Sequence, residues 1–251
     1  MDSWSERGWG VSRTSASTGS PGKSIVRPRS RCPRCHALIR WYENIPVASF
    51  LALRGKCARC RKPISFRYPL VEFLTAALVG FVFVQAPAGP GLVFGVALTF
   101  VLVVISVIDL DWRIIPDIFS LGLLWTSLSA SPLNERLGWT GVERALSSGL
   151  GATAGFLSAW VMAEVGRRVF RREALGGGDV KLLAGIGALL GWRGVLTTWF
   201  LASIFGSLVF LGLRARRKMN WGAYLPFGPF LAAGAWAHWA WPALFSFWWG
   251  M

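Results

Sequence analysis

Long apolar segments alternate with short polar ones along most of the chain. Seven apolar segments follow one another, over residues 69–86, 91–108, 118–131, 146–165, 180–190, 195–213 and 225–249. About 20 apolar residues are needed for a helix to cross the hydrocarbon core of a bilayer. The pattern therefore predicts an all-α polytopic membrane protein with about seven transmembrane helices. The short segments 118–131 and 180–190 each follow an acidic motif, so we expect both to begin inside a polar cleft and not in lipid.

The region before the first apolar segment has a different character. Residues 1–30 are polar, basic and rich in serine and glycine, which predicts a disordered tail with little to bury. Residues 31–68 hold all four cysteines of the chain and form a compact basic segment. We therefore divide the chain into a tail (1–30), a cytoplasmic four-cysteine segment (31–68) and a membrane domain (69–251). The mean hydropathy of +0.47 agrees with an integral membrane protein.

The positive charge is distributed unevenly between the polar segments. A net charge of +15 could indicate a nucleic acid as the partner, but the basic residues lie in the N-terminal region and in short loops. If the cysteine segment is cytoplasmic, seven alternating spans put 24 of the 27 basic residues on that side and 3 outside. That is the asymmetry by which membrane proteins fix their orientation. We therefore expect a lipid bilayer and no nucleic acid as a partner, with both acidic motifs on the cytoplasmic side.

The cysteines form two Cys-x-x-Cys pairs. Cys32 and Cys35 make the first pair, Cys57 and Cys60 the second, and 21 residues separate them. This spacing is typical of a structural zinc site with four thiolate ligands. Two disulfides, or four free thiols, are the alternatives. His36 adjoins Cys35 and could replace a ligand, although we interpret it as a surface residue.

Two acidic motifs lie at the ends of apolar segments. Residues 109–117 read Asp-Leu-Asp-Trp-Arg-Ile-Ile-Pro-Asp, and residues 176–181 read Gly-Gly-Gly-Asp-Val-Lys. Carboxylates are costly in or near hydrocarbon, so such clusters are candidates for function. Asp109 ends one apolar segment and Asp179 opens another. We therefore expect the fold to place these two side chains opposite each other at one membrane depth.

Two carboxylates in one site suit acid–base catalysis of peptide hydrolysis. Both cannot ionise easily, so one keeps its proton. The ionised partner would activate a water, while the protonated one would polarise the peptide carbonyl and later protonate the leaving amine. The glycines before Asp179 would let an extended peptide approach the backbone closely.

Simpler interpretations of the acidic residues remain open. Asp117 and Asp179 could merely cap helix N-termini, and for Asp117 capping is the interpretation we prefer. Asp111 lies two residues after Asp109, about 200° around a helix, so we do not expect it to share the same water. Membrane carboxylates can also relay protons or ions in a transporter.

Taken together, these motifs resemble those of the prepilin leader peptidases, the type IV prepilin-processing GxGD-type membrane aspartyl proteases. Asp-x5-Ile-Pro-Asp over residues 109–117, followed by Gly-x-Gly-Asp at 176–179, carries the resemblance. It extends over about residues 28–235 and includes further matching segments in the same order: 28–35, 41–49, 53–57, 67–72, 177–183 and 226–229.

The resemblance implies an activity and a location. Family members cleave a short basic leader from type IV pilins and from pilin-like type II secretion subunits, at the cytoplasmic face of the bacterial inner membrane. By position in the motif, the catalytic residues would be Asp109 and Asp179. Many members then N-methylate the new terminus with S-adenosylmethionine. No glycine-rich nucleotide loop stands out here, so the methyltransferase activity is implied by the resemblance alone.

One departure from the family pattern keeps other functions open. Members usually carry a membrane helix before the cysteine segment, whereas residues 1–30 are polar here. An inactive relative that binds pilins without cutting them is therefore one alternative. A multi-span transporter with a zinc-binding cytoplasmic domain is another, although it would need carboxylates deep in several spans.

Overall fold

The structure is a computed structural model that describes residues 32, 35–45, 48–170, 175–216 and 225–246. The predicted disordered tail, 1–30, lies outside these residues. So do four of the basic loop residues counted above, at 171–172 and 217–218. The chain divides into two compact units, Met1–Pro69 and Leu70–Met251.

The first unit is small and contains little regular structure. A short 3-10 helix, Trp41–Asn44, and one short helix, α1 (Ala48–Ala52), are its helical elements within the described residues. An antiparallel bridge pairs Lys56 with Pro63, on either side of the second pair of cysteines. No strand longer than a bridge occurs in the described part of the chain.

The rest of the described chain is helical. Its helices are α2 (Arg67–Gln85), α3 (Pro90–Trp112), α4 (Asp117–Ser129), α5 (Gly141–Phe170), α6 (Gly177–Ala215), α7 (Gly228–Ala240) and α8 (Pro242–Ser246). Among the described helices, α2, α3, α5 and α6 are long and apolar enough to cross a membrane. The predicted all-α polytopic membrane protein is therefore confirmed, while the count of seven crossings stays a prediction. The apolar segment 225–249 is not one helix, because α7 ends at Ala240 and α8 begins after Trp241.

Helix α6 is broken at Gly191, where the backbone is not helical (φ 72°, ψ 177°). On α5, Gly155 packs against Leu183, and Ser158 accepts a hydrogen bond from Trp199 at 3.0 Å. In a straight helix, residues 183 and 199 would lie about 24 Å apart. Their contacts on α5, Gly155 and Ser158, are however only three residues apart, which is within one helical turn. The chain therefore reverses direction at Gly191. The separate apolar segments 180–190 and 195–213 reflect this break.

Side chains from other elements donate hydrogen bonds to the carbonyl groups that the break in α6 leaves free. A helix end leaves carbonyl groups without an amide partner. Asn134 Nδ2 donates to the carbonyl of Leu189 at 2.8 Å, and Ser148 Oγ donates to that of Ala188 at 2.7 Å. Asn134 and Ser148 are both buried, so these bonds satisfy polar groups that water could not reach.

Three helix pairs set the position of the acidic motifs. Helix α5 lies close against the first half of α6, because Gly151 and Gly155 leave no side chain between the backbones. Helix α4 runs parallel to the same half of α6, as shown by contacts of Ile115 with Gly178, Asp117 with Lys181 and Ser120 with Gly185. Helix α7 runs antiparallel to α3, with contacts of Gly95 with Trp239, Thr99 with Trp236 and Asp109 with Gly228.

Candidate active site

Asp109 lies in the last turn of α3 with its side chain turned inward. The residue is 5% exposed. Helix α3 continues for three more residues, until Arg113 takes the left-handed conformation (φ 55°) and donates its amide to the carbonyl of Asp109 at 2.9 Å. The carboxylate oxygen Oδ2 of Asp109 accepts a hydrogen bond from the backbone amide of Gly228, at 2.9 Å. Two helices that are far apart in sequence therefore meet at this carboxylate.

Asp179 is the third residue of α6 and is 6% exposed. Its Oδ2 accepts a hydrogen bond from the backbone amide of Gly176 at 3.1 Å, so the carboxylate does cap its helix, as one alternative expected. Its other oxygen, Oδ1, is buried and has no hydrogen-bond partner within the described residues. A buried polar atom left in this way is unusual and points to a use beyond capping.

The two carboxylates belong to one site. The Asp109 carboxylate lies near enough to act electrostatically on that of Asp179, although 69 residues separate them in the sequence. Each carboxylate has one oxygen held by a glycine amide, from Gly228 or from Gly176. The structure thus brings the two residues selected from the sequence near each other, both buried and each with one oxygen held by a backbone amide.

The other two carboxylates of the first motif lie outside this pair. Asp111 is exposed, in a helix that is intact up to Trp112. Asp117 is the first residue of α4, directly after the N-cap Pro116, and is exposed. Its two carboxylate oxygens accept hydrogen bonds from Lys181 Nζ, at 2.7 and 2.8 Å. The capping interpretation of Asp117 was therefore wrong: the residue joins the starts of α4 and α6.

The glycines of the second motif are used differently from one another. A Cβ on Gly178 would lie 2.8 Å from the Cβ of Ile115, so this glycine lets the segment before α4 pack against α6. Gly177 has no heavy atom within 4 Å of the place where its Cβ would stand. Of these two glycines, only Gly177 therefore offers open space to an approaching peptide. Sequence reasoning missed the contribution of Gly228, for which the segment 226–229 in the resemblance was the one available signal.

The four cysteines of the first unit form a cluster. Their sulfur atoms all lie within 4.8 Å of one another, and Cys32 and Cys60 are 4.0 Å apart. None of the four, all of which belong to the described residues, forms a disulfide. Four thiols this close could hold a metal ion, and an all-thiolate set suits zinc. His36 is exposed and is not part of the cluster.

The same backbone hydrogen bond follows each cysteine pair. The amide of His36 donates to the carbonyl of Cys32 at 2.8 Å, and the amide of Arg61 donates to that of Cys57 at 3.0 Å. Both donors have a left-handed backbone, with φ of 53° and 59°. Two pairs with this shared hydrogen bond, and with all four sulfurs within 4.8 Å of one another, are a suitable arrangement for a metal ion with four thiolate ligands.

Comparisons with known proteins agree with the geometry of both sites. Residues 11–86 match the bacterial peptidase A24 N-terminal domain, and residues 96–211 match the type IV leader peptidase family. No solved structure matches the chain.

Three similar proteins carry the name prepilin leader peptidase/N-methyltransferase. The one from Aeromonas hydrophila is 40% identical over 216 residues, which are 86% of this chain and 72% of that protein. The one from Pseudomonas aeruginosa is 39% identical over 218 residues, 85% and 71% of the two chains. The one from Myxococcus xanthus is 45% identical over 195 residues, 74% of this chain and 54% of that protein. With these matches, and with two buried aspartates contributed by the motifs that carried the resemblance, the chain belongs to the type IV leader peptidase family.

Proposed function

We propose that this protein is a membrane aspartic endopeptidase that cleaves the basic leader of type IV prepilins and pilin-like secretion proteins. The observation that supports the proposal most directly is the pair of buried carboxylates, Asp109 in the last turn of α3 and Asp179 in the first turn of α6. The names of the relatives supply the substrate class.

In the proposed mechanism the two aspartates share one proton. The ionised carboxylate removes a proton from a water, and the water oxygen attacks the carbonyl carbon of the scissile peptide bond. The protonated carboxyl group donates a hydrogen bond to the carbonyl oxygen, and a proton then passes to the leaving amine. Gly176 and Gly228 hold one oxygen of each carboxylate, which leaves the other oxygen of each for the water and the shared proton.

The proposal extends to methylation of the new N-terminus. Its support is the printed name of the relatives, which joins the two activities, and the sequence resemblance. S-adenosylmethionine would supply the methyl group that the amine of the cleaved pilin accepts.

We also propose that Cys32, Cys35, Cys57 and Cys60 bind a structural Zn²⁺. The support is the short distance between the four sulfur atoms and the matching backbone hydrogen bond that follows each pair. A site with four thiolate ligands has no open position for water, so the ion would take no part in the hydrolysis.

For the location, we propose the bacterial inner membrane, with the aspartate pair and the cysteine segment on the cytoplasmic side. The excess of basic residues on that side supports this orientation. A reporter enzyme that is active only in the periplasm is expected to work when fused after Met251 and to fail when fused after Arg217. The reverse pattern would contradict the orientation and would put both acidic motifs on the outer face.

A cleavage assay tests the main activity and separates it from the alternatives. Purified protein in detergent is incubated with a prepilin, and the mass of the pilin is followed. We expect the mass to fall by that of the leader, and to rise by one methyl group when S-adenosylmethionine is present. An inactive relative would bind the prepilin without changing its mass, and a transporter would do neither.

A further inference from the structure

Helix α7 begins with a glycine whose amide contacts the candidate catalytic residue Asp109. Gly228 is the first residue of α7 and lies 119 positions from Asp109 in the sequence. We infer that Gly228 is a positioning residue of the active site, which holds the carboxylate of Asp109 through its backbone amide. The inference rests on the proposed function, because it assigns a part in the same reaction.

In the first turn of α7, only the amide of Gly228 is available to bind a group on another helix. Pro229 has no N–H group, and the amides of Phe230 and Leu231 both donate to the carbonyl of Phe227, at 3.0 and 3.2 Å. The Gly228 amide is the one that reaches another helix, at 2.9 Å from Oδ2 of Asp109. A carboxylate at the N-terminus of a helix also gains from the partial positive charge there. The carboxylate of Asp109 therefore accepts the free amide at the N-terminus of α7, and this hydrogen bond orients the side chain of Asp109.

The space around Gly228 admits no side chain. A Cβ at this position would lie 2.7 Å from Oδ2 of Asp109 and 3.2 Å from its Cγ. The backbone of Gly228 is not in the left-handed region, so the requirement for glycine comes from this close approach. Any larger residue would displace the carboxylate that it should hold.

Packing on both sides makes the position of the amide rigid. The ring of Phe227 contacts that of Trp199 on α6, with ring centres 5.9 Å apart. Further along α7, Trp236 Nε1 donates to Thr99 Oγ1 of α3 at 3.1 Å. Because these contacts hold α7 against both α6 and α3, its first amide is held in place by groups other than Asp109. The hydrogen bond thus limits the orientation of Asp109, and with it the direction of the free oxygen.

The two glycine contacts of the aspartate pair differ in origin. Gly176 holds Asp179 from three residues away, within the start of a single helix. Gly228 holds Asp109 only when α7 has packed against α3. The site therefore depends on the C-terminal helix, although α7 contributes no acidic or basic side chain to the aspartate pair.

The sharpest test removes the amide hydrogen of Gly228 without adding a side chain; the ester also weakens the Phe227 carbonyl as an acceptor, an effect that the control below reproduces elsewhere in α7. In the full-length protein, Gly228 is replaced by glycolic acid, which changes the peptide N–H into an ester oxygen. We expect kcat for prepilin cleavage to fall about ten- to a hundredfold with KM unchanged, since a hydrogen bond to a charged group is lost. As the matched control, Ala235 of the same helix is replaced by lactic acid, which removes one helical N–H far from the aspartates. This control is expected to keep kcat.

A second pair of variants uses ordinary substitutions. Gly228→Ala should lower kcat at least as much as the ester, because the new methyl group meets Oδ2. Gly234→Ala in α7 is equally crowded, with its Cβ 2.8 Å from the carbonyl oxygen of Thr198, but it lies away from Asp109. We expect Gly234→Ala to lower the melting temperature and to lower the kcat of the folded protein much less than Gly228→Ala does.

The outcomes separate the inference from the proposed function. If the unmodified protein does not cleave a prepilin, the proposed function fails. If it does cleave and both Gly228 variants keep its kcat, the inference is overturned. An equal loss of kcat with lactic acid at 235 would overturn it too, since α7 as a whole and not this one amide would then matter.

Discussion

Asp109→Asn and Asp179→Asn are each expected to abolish leader cleavage while the protein stays folded in the membrane. Asparagine keeps the shape of the side chain, and its oxygen can still accept the amide of Gly228 or Gly176. It can neither serve as a base nor share a proton, and such acid–base steps contribute roughly a hundred- to ten-thousandfold each. Cleavage of a prepilin, followed by mass, measures the loss, and the yield and melting temperature of the purified variant show that folding is retained.

The double variant gives a second, independent result. If the two carboxylates act as a unit, Asp109→Asn combined with Asp179→Asn should be little worse than either change alone. Losses that multiply in the double variant would contradict a shared proton and would indicate two separate contributions.

The other two carboxylates of the first motif serve as matched controls. Asp111→Asn should cost less cleavage, because Asp111 is exposed on another face of α3. Asp117→Asn breaks the ion pair with Lys181, whose side chain is 39% exposed while that of Asp117 is 59% exposed. An exposed pair of this kind contributes about 0–1 kcal/mol to stability, so we expect a small fall in melting temperature and continued cleavage. If Asp109→Asn kept near-normal cleavage and Asp111→Asn lost it, Asp111 and not Asp109 would be the partner of Asp179.

Much of the candidate site follows from local rules. Asp109 could be separated from Asp111 because two residues correspond to about 200° on a helix, and α3 does remain helical as far as Trp112. Asp179 could be placed at a helix start because glycines precede an apolar segment. Each of these inferences needs only the residues around it. The structure buries both aspartates near each other, and their common membrane depth and catalytic roles stay predictions.

The contacts that the sequence could not show join distant segments. Asp117 was interpreted as a cap from its local position, but its partner Lys181 lies 64 residues away and depends on the register of α4 against α6. The same holds for Gly228, whose amide meets Asp109 only through the packing of α7 on α3. Periodicity locates helices, but it does not give the register between them.

The membrane domain shows the same limit. Hydropathy separates the two halves of α6, because Gly191 and its neighbours interrupt the apolar run. It does not show that Asn134 and Ser148 cover the carbonyl groups exposed by that break. It also treats residues 225–249 as one segment, whereas the helix ends at Ala240 and a second one begins at Pro242. An average over many residues hides a single break at Trp241.

Loss of the metal is the other change for which we expect a large effect. The purified protein should contain about one zinc per chain, as measured by elemental analysis. Cys32→Ser and Cys57→Ser should each lower the zinc content and the protein yield together. The reason is that the first unit has little core of its own, so metal binding, typically about 10–16 kcal/mol for four-ligand zinc sites, supplies much of its folding energy. A serine hydroxyl does not ionise at neutral pH and cannot replace the thiolate.

His36 provides the control for this prediction, because it adjoins Cys35 but is exposed and is not part of the cluster. His36→Asn is the suitable change, since asparagine tolerates the left-handed backbone that this position requires (φ 53°). The variant should keep its zinc and its yield. Active, reduced protein without zinc would contradict the metal site altogether. Loss of zinc from His36→Asn, with retention in one of the cysteine variants, would instead replace that cysteine by the histidine in the ligand set.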